Sequence, residues 1–268
     1  MADISASLFD LGRLDRLARR DTPFRRLDPR AKLLVTLAFL LCVVSFDRYA
    51  VAGLLPFFFY PVVVVALADL PLGYLLKKVL LVAPLALLMG AANPWFDPEP
   101  LLRFGSITLS GGWVSYAAIL LRFALTVLAA LALIATTGFH EVCVALRRIG
   151  VPAPMTVQLL LSYRYLFVLA GEGARMVRAR SLRSFGRRGH GLVPYGSLVG
   201  HLLLRTVERS RRIHRAMLAR GFAGELHSSS PLRFRCLDAL YLLGWAALFL
   251  LFRLVNLPHL LGGLLAAS

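Results

Sequence analysis

The chain has 268 residues, 58% of them hydrophobic, with a mean hydropathy of +0.71 and 31 Lys and Arg against 14 Asp and Glu, a formal net charge of +17. Oil and positive charge in this proportion argue against a soluble globular domain and for a membrane protein that keeps its charge in loops. Cys42, Cys143 and Cys236 are too few and too scattered for a disulfide framework or a zinc cluster, and read as small core residues.

Residues 1–30 form a polar arm carrying Arg13, Arg16, Arg19, Arg20, Arg25, Arg26 and Arg30. With no apolar stretch there to act as a signal peptide, the first spanning helix is expected to direct the chain to the membrane. A bilayer core of about 30 Å needs about 20 helical residues, fewer where charged ends snorkel. Five runs meet that demand within region 31–139 and near the end of the chain. Ala31 to Phe46 is short and ends on Lys32 and Arg48; Tyr49 to Ala68 holds Pro56 and Pro61; Val79 to Phe96 has Pro84 near its middle. Trp113 to Phe139 is apolar apart from Arg122, and Ala239 to Leu257, in region 236–268, is flanked by Asp238 and contains Arg253. Arg122 is costly at membrane depth and reads as a structural pairing or snorkelling residue.

Short basic loops stay cytoplasmic. The arginine arm, the Lys77 and Lys78 pair read as the loop between the second and third helices, and the acidic loop with Asp97 and Glu99 after the third alternate consistently, with the amino terminus inside. Region 140–235 then falls on the cytoplasmic side, where Glu141 to Arg235 carries 17 Arg and no Lys against four Glu and no Asp.

Three parts follow within it. "HEVCVALRRIGVP" is a short surface helix with Val142, Leu146 and Ile149 on one face, stopped by Gly150 and Pro152. "PMTVQLLLSYRYLFVLAGEGARMVRARSLRS" is a longer helix, apolar first and basic last. Gly186, Gly189, Gly191 and Pro194 make a turn with an exposed His190, after which a second long helix runs from Tyr195 to Arg220. Val199, Leu203, Thr206, Ser210, Ile213 and Met217 alternate steps of four and three, the seam of a helix packed on another, with Arg205, Arg209, Arg212 and Arg215 off it. Both long helices end on the same tripeptide pattern, Ala179, Arg180, Ser181 and, 40 residues on, Ala219, Arg220, Gly221. Two such tips suggest a two-lobed or dimeric partner.

On these residues the chain resembles the transmembrane, or T, component of energy-coupling factor transporters, most closely the cobalt-type branch called CbiQ. The likeness extends to "TTGFHEVCVALRRIGVP", where Thr136, Thr137, Glu141, Ala145, Leu146, Gly150 and Pro152 fall at pattern positions, with Ser181 in place of Gly as a departure. The resemblance implies an all-α polytopic membrane protein with about five transmembrane helices and two long cytoplasmic coupling helices. It implies two ATP-binding-cassette ATPase subunits (CbiO-like) that seat the arginine tips. A substrate-binding membrane subunit (CbiM-like, with a small CbiN-like companion) would be moved by the helix pair, in the cell inner membrane and most simply for cobalt. Arginine suits that joint because its planar fork holds carboxylates and carbonyls at fixed geometry.

Residue chemistry agrees with a non-catalytic role without cofactors. "GRRGHG" lacks the Gly-Lys-Ser/Thr ending of a phosphate loop, and His140 and Glu141 are followed by Val144 where a zinc-protease motif needs its second histidine. The six histidines have no ligand spacing, so the transported metal is expected to bind elsewhere. The alternatives are a T component for nickel or a vitamin, or a basic membrane scaffold for anionic lipid or RNA; few aromatic residues interleave with the arginines, so no nucleic acid is expected.

Overall fold

A computed structural model of the chain describes residues 15, 17–18, 23–47, 51–93, 100–104, 107–183, 192–225 and 234–254. Outside them lie Arg13, Arg16, Arg19, Arg20, Arg48, Asp97, Glu99 and the turn residues Gly186, Gly189, His190 and Gly191. The architecture is that of an all-α polytopic membrane protein. It divides into two compact units, one drawn from Leu17–Gly138 and Leu232–Ser268 and the other from Met1–Arg16 and Phe139–Pro231.

In the first unit α1 spans Pro29–Val44, opened by Asp28, whose carboxylate accepts the Arg30 N–H at 2.9 Å, and by Pro29, which has no N–H to leave unpaired. Next comes α2, Val51–Leu67, in which Pro56 turns Leu55–Phe58 into a 3-10 segment. Asp69, in the left-handed region at φ 49, and Pro71 separate it from α3, Leu72–Gly90.

The third helix therefore starts earlier than the sequence reading placed it, and Lys77 and Lys78 lie inside it rather than in a loop. Gly73 falls in the first turn and does not end the helix, and the long lysine stems reach along it, Lys78 Nζ resting 5.7 Å from the Tyr74 ring. Between α3 and α4 the backbone makes a small antiparallel hairpin, β1 Pro100–Phe104 with β2 Ile107–Ser110. The long helix α4, Gly111–Thr137, ends where Gly138 takes φ 82.

The last helix of this unit, α8, spans Cys236–Leu254, so Asp238 is in its first turn rather than before it. Its carboxylate is 2% exposed and accepts two backbone N–H groups, from Asp28 and Arg235, each at 2.7 Å. Arg253, at the other end of α8, donates to the Ser45 carbonyl at 3.0 Å and to its hydroxyl at 3.2 Å. The two helices are thus parallel and joined at both ends. Between the joints the buried Phe39, Phe57, Tyr60 and Phe249 and the half-buried Trp245 form an aromatic cluster, the closest centroids being 4.7 Å apart for Phe39 and Tyr60. Helices α3 and α4 run antiparallel, with Gly90 so close to Tyr116 that an added Cβ would meet its ring at 2.7 Å.

By length and composition α3, α4 and α8 can each cross a membrane, as can Ala153–Arg183 of the second unit. The 16-residue α1 and the interrupted α2 are shorter than that criterion.

Candidate functional site

The second unit holds three helices: α5 Phe139–Ile149, α6 Ala153–Arg183 and α7 Leu192–Ala219. The Asp15 carboxylate accepts the Phe139 N–H at 3.4 Å, and the Phe139 ring stacks on Tyr163 of α6 at 4.3 Å. At its other end α5 stops at Gly150, φ 116, with the Gly150 N–H bonded to the Arg147 carbonyl and the Val151 N–H to that of Leu146. This paired closure needs a left-handed residue, which only glycine supplies without strain. Burial raises the Cys143 thiol to about 11, which fits its role as an apolar filler on α5.

Helices α6 and α7 cross where Gly173 faces Leu202 and where Glu172, 16% exposed, meets two guanidinium groups, Arg205 and Arg209, each at 3.6 Å. The half-buried residues of α7 are Tyr195, Leu198, Leu202, Thr206, Arg209, Ile213 and Met217. The expected seam holds at Thr206, Ile213 and Met217 and is one residue out at its other three positions: Val199, Leu203 and Ser210 are exposed, and Leu198, Leu202 and Arg209 are packed instead. Arg209 pairs with Glu172 on that face, where the apolar spacing places Ser210. The helix also begins at Leu192, with Pro194 inside its first turn, where the missing N–H has no partner to lose.

The amino-terminal half of α6 and the carboxy-terminal half of α7 enclose an apolar groove of about 600 Å³, lined by Val157, Leu161, Tyr165, Ile213, Met217 and Phe222 among others. The two helices are therefore antiparallel, and the two tripeptides lie on opposite sides of the crossing. From Glu172 to Arg180 is eight residues, about 12 Å along α6, and from Arg205 to Arg220 fifteen, about 22 Å along α7.

Locally the tips differ. Ala179, Arg180 and Ser181 are helical, with Ala179 and Ser181 exposed, Arg180 half-buried, and the Ser181 hydroxyl bonded to the Arg178 carbonyl at 2.8 Å. Ala219 closes α7, and Arg220 and Gly221 form its cap, Gly221 at φ 80, with the Gly221 N–H on the Leu218 carbonyl and the Phe222 N–H on that of Met217. That difference explains Ser181: a helical position needs no glycine, whereas the cap at Gly221 does.

Sequence reasoning missed the two acidic partners that organise this unit. Glu172 holds the crossing, and Glu225, beyond the α7 cap, pairs with Arg147 of α5. The signal was available in the scarcity of acid, since a region with 17 Arg and four Glu gives each Glu a choice of partners.

Among the described residues no group of three or more His, Cys, Asp and Glu is placed to hold a metal ion, and His140 is exposed on α5.

Residues 20–231 match the family CbiQ, described as cobalt transport protein. Among curated proteins, the cobalt transport protein CbiQ of Rhodobacter capsulatus is 35% identical over 92 residues, 34% of this chain and 38% of that protein. The nickel permease LarQ of Lactiplantibacillus plantarum is 29% identical over 181 residues, 62% and 66% of the two chains. An uncharacterized protein of Methanocaldococcus jannaschii, MJ1571, is 27% identical over 170 residues, 60% and 58%. The matched segments span between 38% and 66% of these relatives' lengths. With the family pattern running through both units and across all three helices of the second, the chain belongs to the CbiQ family of cobalt transport proteins.

Proposed function

We propose that the chain is the energy-coupling T subunit of an ATP-driven importer, passing the motion of two ATP-binding-cassette ATPases to a separate substrate-binding membrane subunit. The observation that carries this is the pair of Ala-Arg-small tips on opposite sides of one helix crossing, two separate positions on a single helix pair. When the ATPases close, a force on Arg180 and Arg220 turns the pair about Glu172 and Gly173, and the substrate subunit tilts with it. ATP is bound and hydrolysed by the partners; Ala179, Arg180, Ser181, Ala219, Arg220 and Gly221 supply only the joint.

In this reading the amino terminus and region 140–235 face the cytoplasm, the remaining helices lie in the inner membrane, and the cargo is cobalt, in keeping with the family description. Nickel is the second reading, favoured by the likeness to a nickel permease.

The test is affinity purification from native membranes of wild type and of Arg180→Glu/Arg220→Glu. Both arginines lie at helix ends, so the variant is expected to insert and fold. Two ATPase chains co-eluting with wild type and lost from the variant support the role, and full metal uptake by the variant refutes it. Uptake of labelled cobalt against labelled nickel separates the two cargoes.

A further inference from the structure

We propose that Arg122 and Arg253 form a binding site for the phosphate group of one anionic phospholipid at the carboxy-terminal end of α1. Three helices bring the site together. Helix α1 has 16 residues, about 24 Å, against a bilayer core of about 30 Å, so its end stops short of the surface. Arg122 sits eleven residues into α4, about 16 Å from its start at Gly111, and donates to the Asp47 carbonyl just past α1. Arg253, in the last turn of α8, donates to Ser45 and lies 4.3 Å over the Phe46 ring.

The charge at this point is unbalanced. The acceptors are carbonyls and a hydroxyl, all neutral, and among the described residues neither guanidinium has a carboxylate within ion-pair distance. Arg122 Nε is closed off and has no acceptor among those residues. Two cations at apolar depth demand a counter-anion, and the anion a bilayer offers is lipid phosphate, whose oxygens match the guanidinium fork. A net-negative headgroup is favoured over a zwitterionic one because its own cation does not compete. The short α1 and the phosphate fit one another: the lipid headgroup fills the height the helix leaves.

Native mass spectrometry of the purified full chain in detergent, titrated with phosphatidylglycerol, tests the site. Wild type is expected to retain one phosphatidylglycerol at a concentration lower by about tenfold or more than Arg122→Gln/Arg253→Gln requires, and to prefer it over phosphatidylcholine. Arg122→Lys/Arg253→Lys keeps both charges and covers the case in which the glutamine pair does not fold; it is expected to retain the lipid more weakly than wild type because it lacks the fork. Equal retention by wild type and either double variant overturns the proposal, as does no preference over phosphatidylcholine. Displacement of the lipid by millimolar inorganic phosphate would make it a site for free phosphate and overturn the lipid assignment.

Discussion

Replacing Gly221 by valine separates the two tips by a measurable amount. The position holds φ 80, and a Cβ built there meets nothing within 4 Å, so the penalty comes from the backbone and not from a clash. A left-handed conformation costs a non-glycine residue about 1–2 kcal/mol, at the upper end for a β-branched one. The chain escapes that strain only by opening the cap. It then loses the bonds from Gly221 and Phe222 to Leu218 and Met217, each worth about 0.5–1.5 kcal/mol, and frees Phe222 from the groove. The two routes have similar cost, so Gly221→Val is expected to destabilise the unit by about 1–2 kcal/mol, or about 2–8 °C in the midpoint of thermal unfolding in detergent. Ser181→Gly, within a helix, is expected to cost about 0.5 kcal/mol through propensity alone. If the T-subunit reading holds, the valine variant also retains less ATPase on affinity purification than the Ser181→Gly chain. Equal midpoints for Gly221→Val and wild type would refute the cap argument.

Other consequences are as direct. Asp238→Ala leaves a buried backbone donor at Asp28 and a part-buried one at Arg235 without their acceptor and is expected to cost about 2–4 kcal/mol, read as a clear drop in the same unfolding midpoint; Asp238→Asn keeps one acceptor oxygen and should lose roughly half as much. Cys143, 1% exposed and with its thiol raised to about 11, should resist alkylation at pH 8 in the folded chain, while exposed Cys236 reacts. Cys143 should gain reactivity as pH climbs toward that value, and mass spectrometry of the alkylated peptides distinguishes the two sites. Glu172→Gln removes the charge shared by Arg205 and Arg209; with Arg205 largely and Arg209 partly in solvent the loss is expected to be about 1 kcal/mol or less and to shrink further in high salt, measured by thermal unfolding at two ionic strengths.

The helices were readable wherever a residue acts through its own backbone. Gly150 and Pro152 stop α5 where the sequence says they should, because their effect needs no distant partner. Lys77 and Lys78 were misplaced because charge marks a loop only statistically, and a helix whose next breaker is Pro71 carries lysines without difficulty. The seam of α7 was half right for a related reason. Apolar spacing predicts a face, but it does not show that Arg209 takes a place on that face by pairing with Glu172, a residue 37 positions earlier. The pairings of Asp238 with Asp28 and of Arg253 with Ser45 join positions more than 200 residues apart, and no local pattern encodes them.

The antiparallel run of α6 and α7 bears on how the pair can meet a membrane. Each helix is apolar first and basic last: α6 passes from Val157 and Leu161 to Arg175, Arg178 and Arg180, and α7 from exposed Val199, Leu203 and Leu204 to Arg211, Arg212 and Arg215. Laid side by side in opposite directions, every cross-section of the pair holds one greasy stretch and one cationic stretch. Driving either end into hydrocarbon would submerge three or more arginines at about 2.5–3.5 kcal/mol each. If the T-subunit reading holds, a body of that kind lies lengthwise at the water line, as a beam lies on a pond, and a push on one end lifts the other.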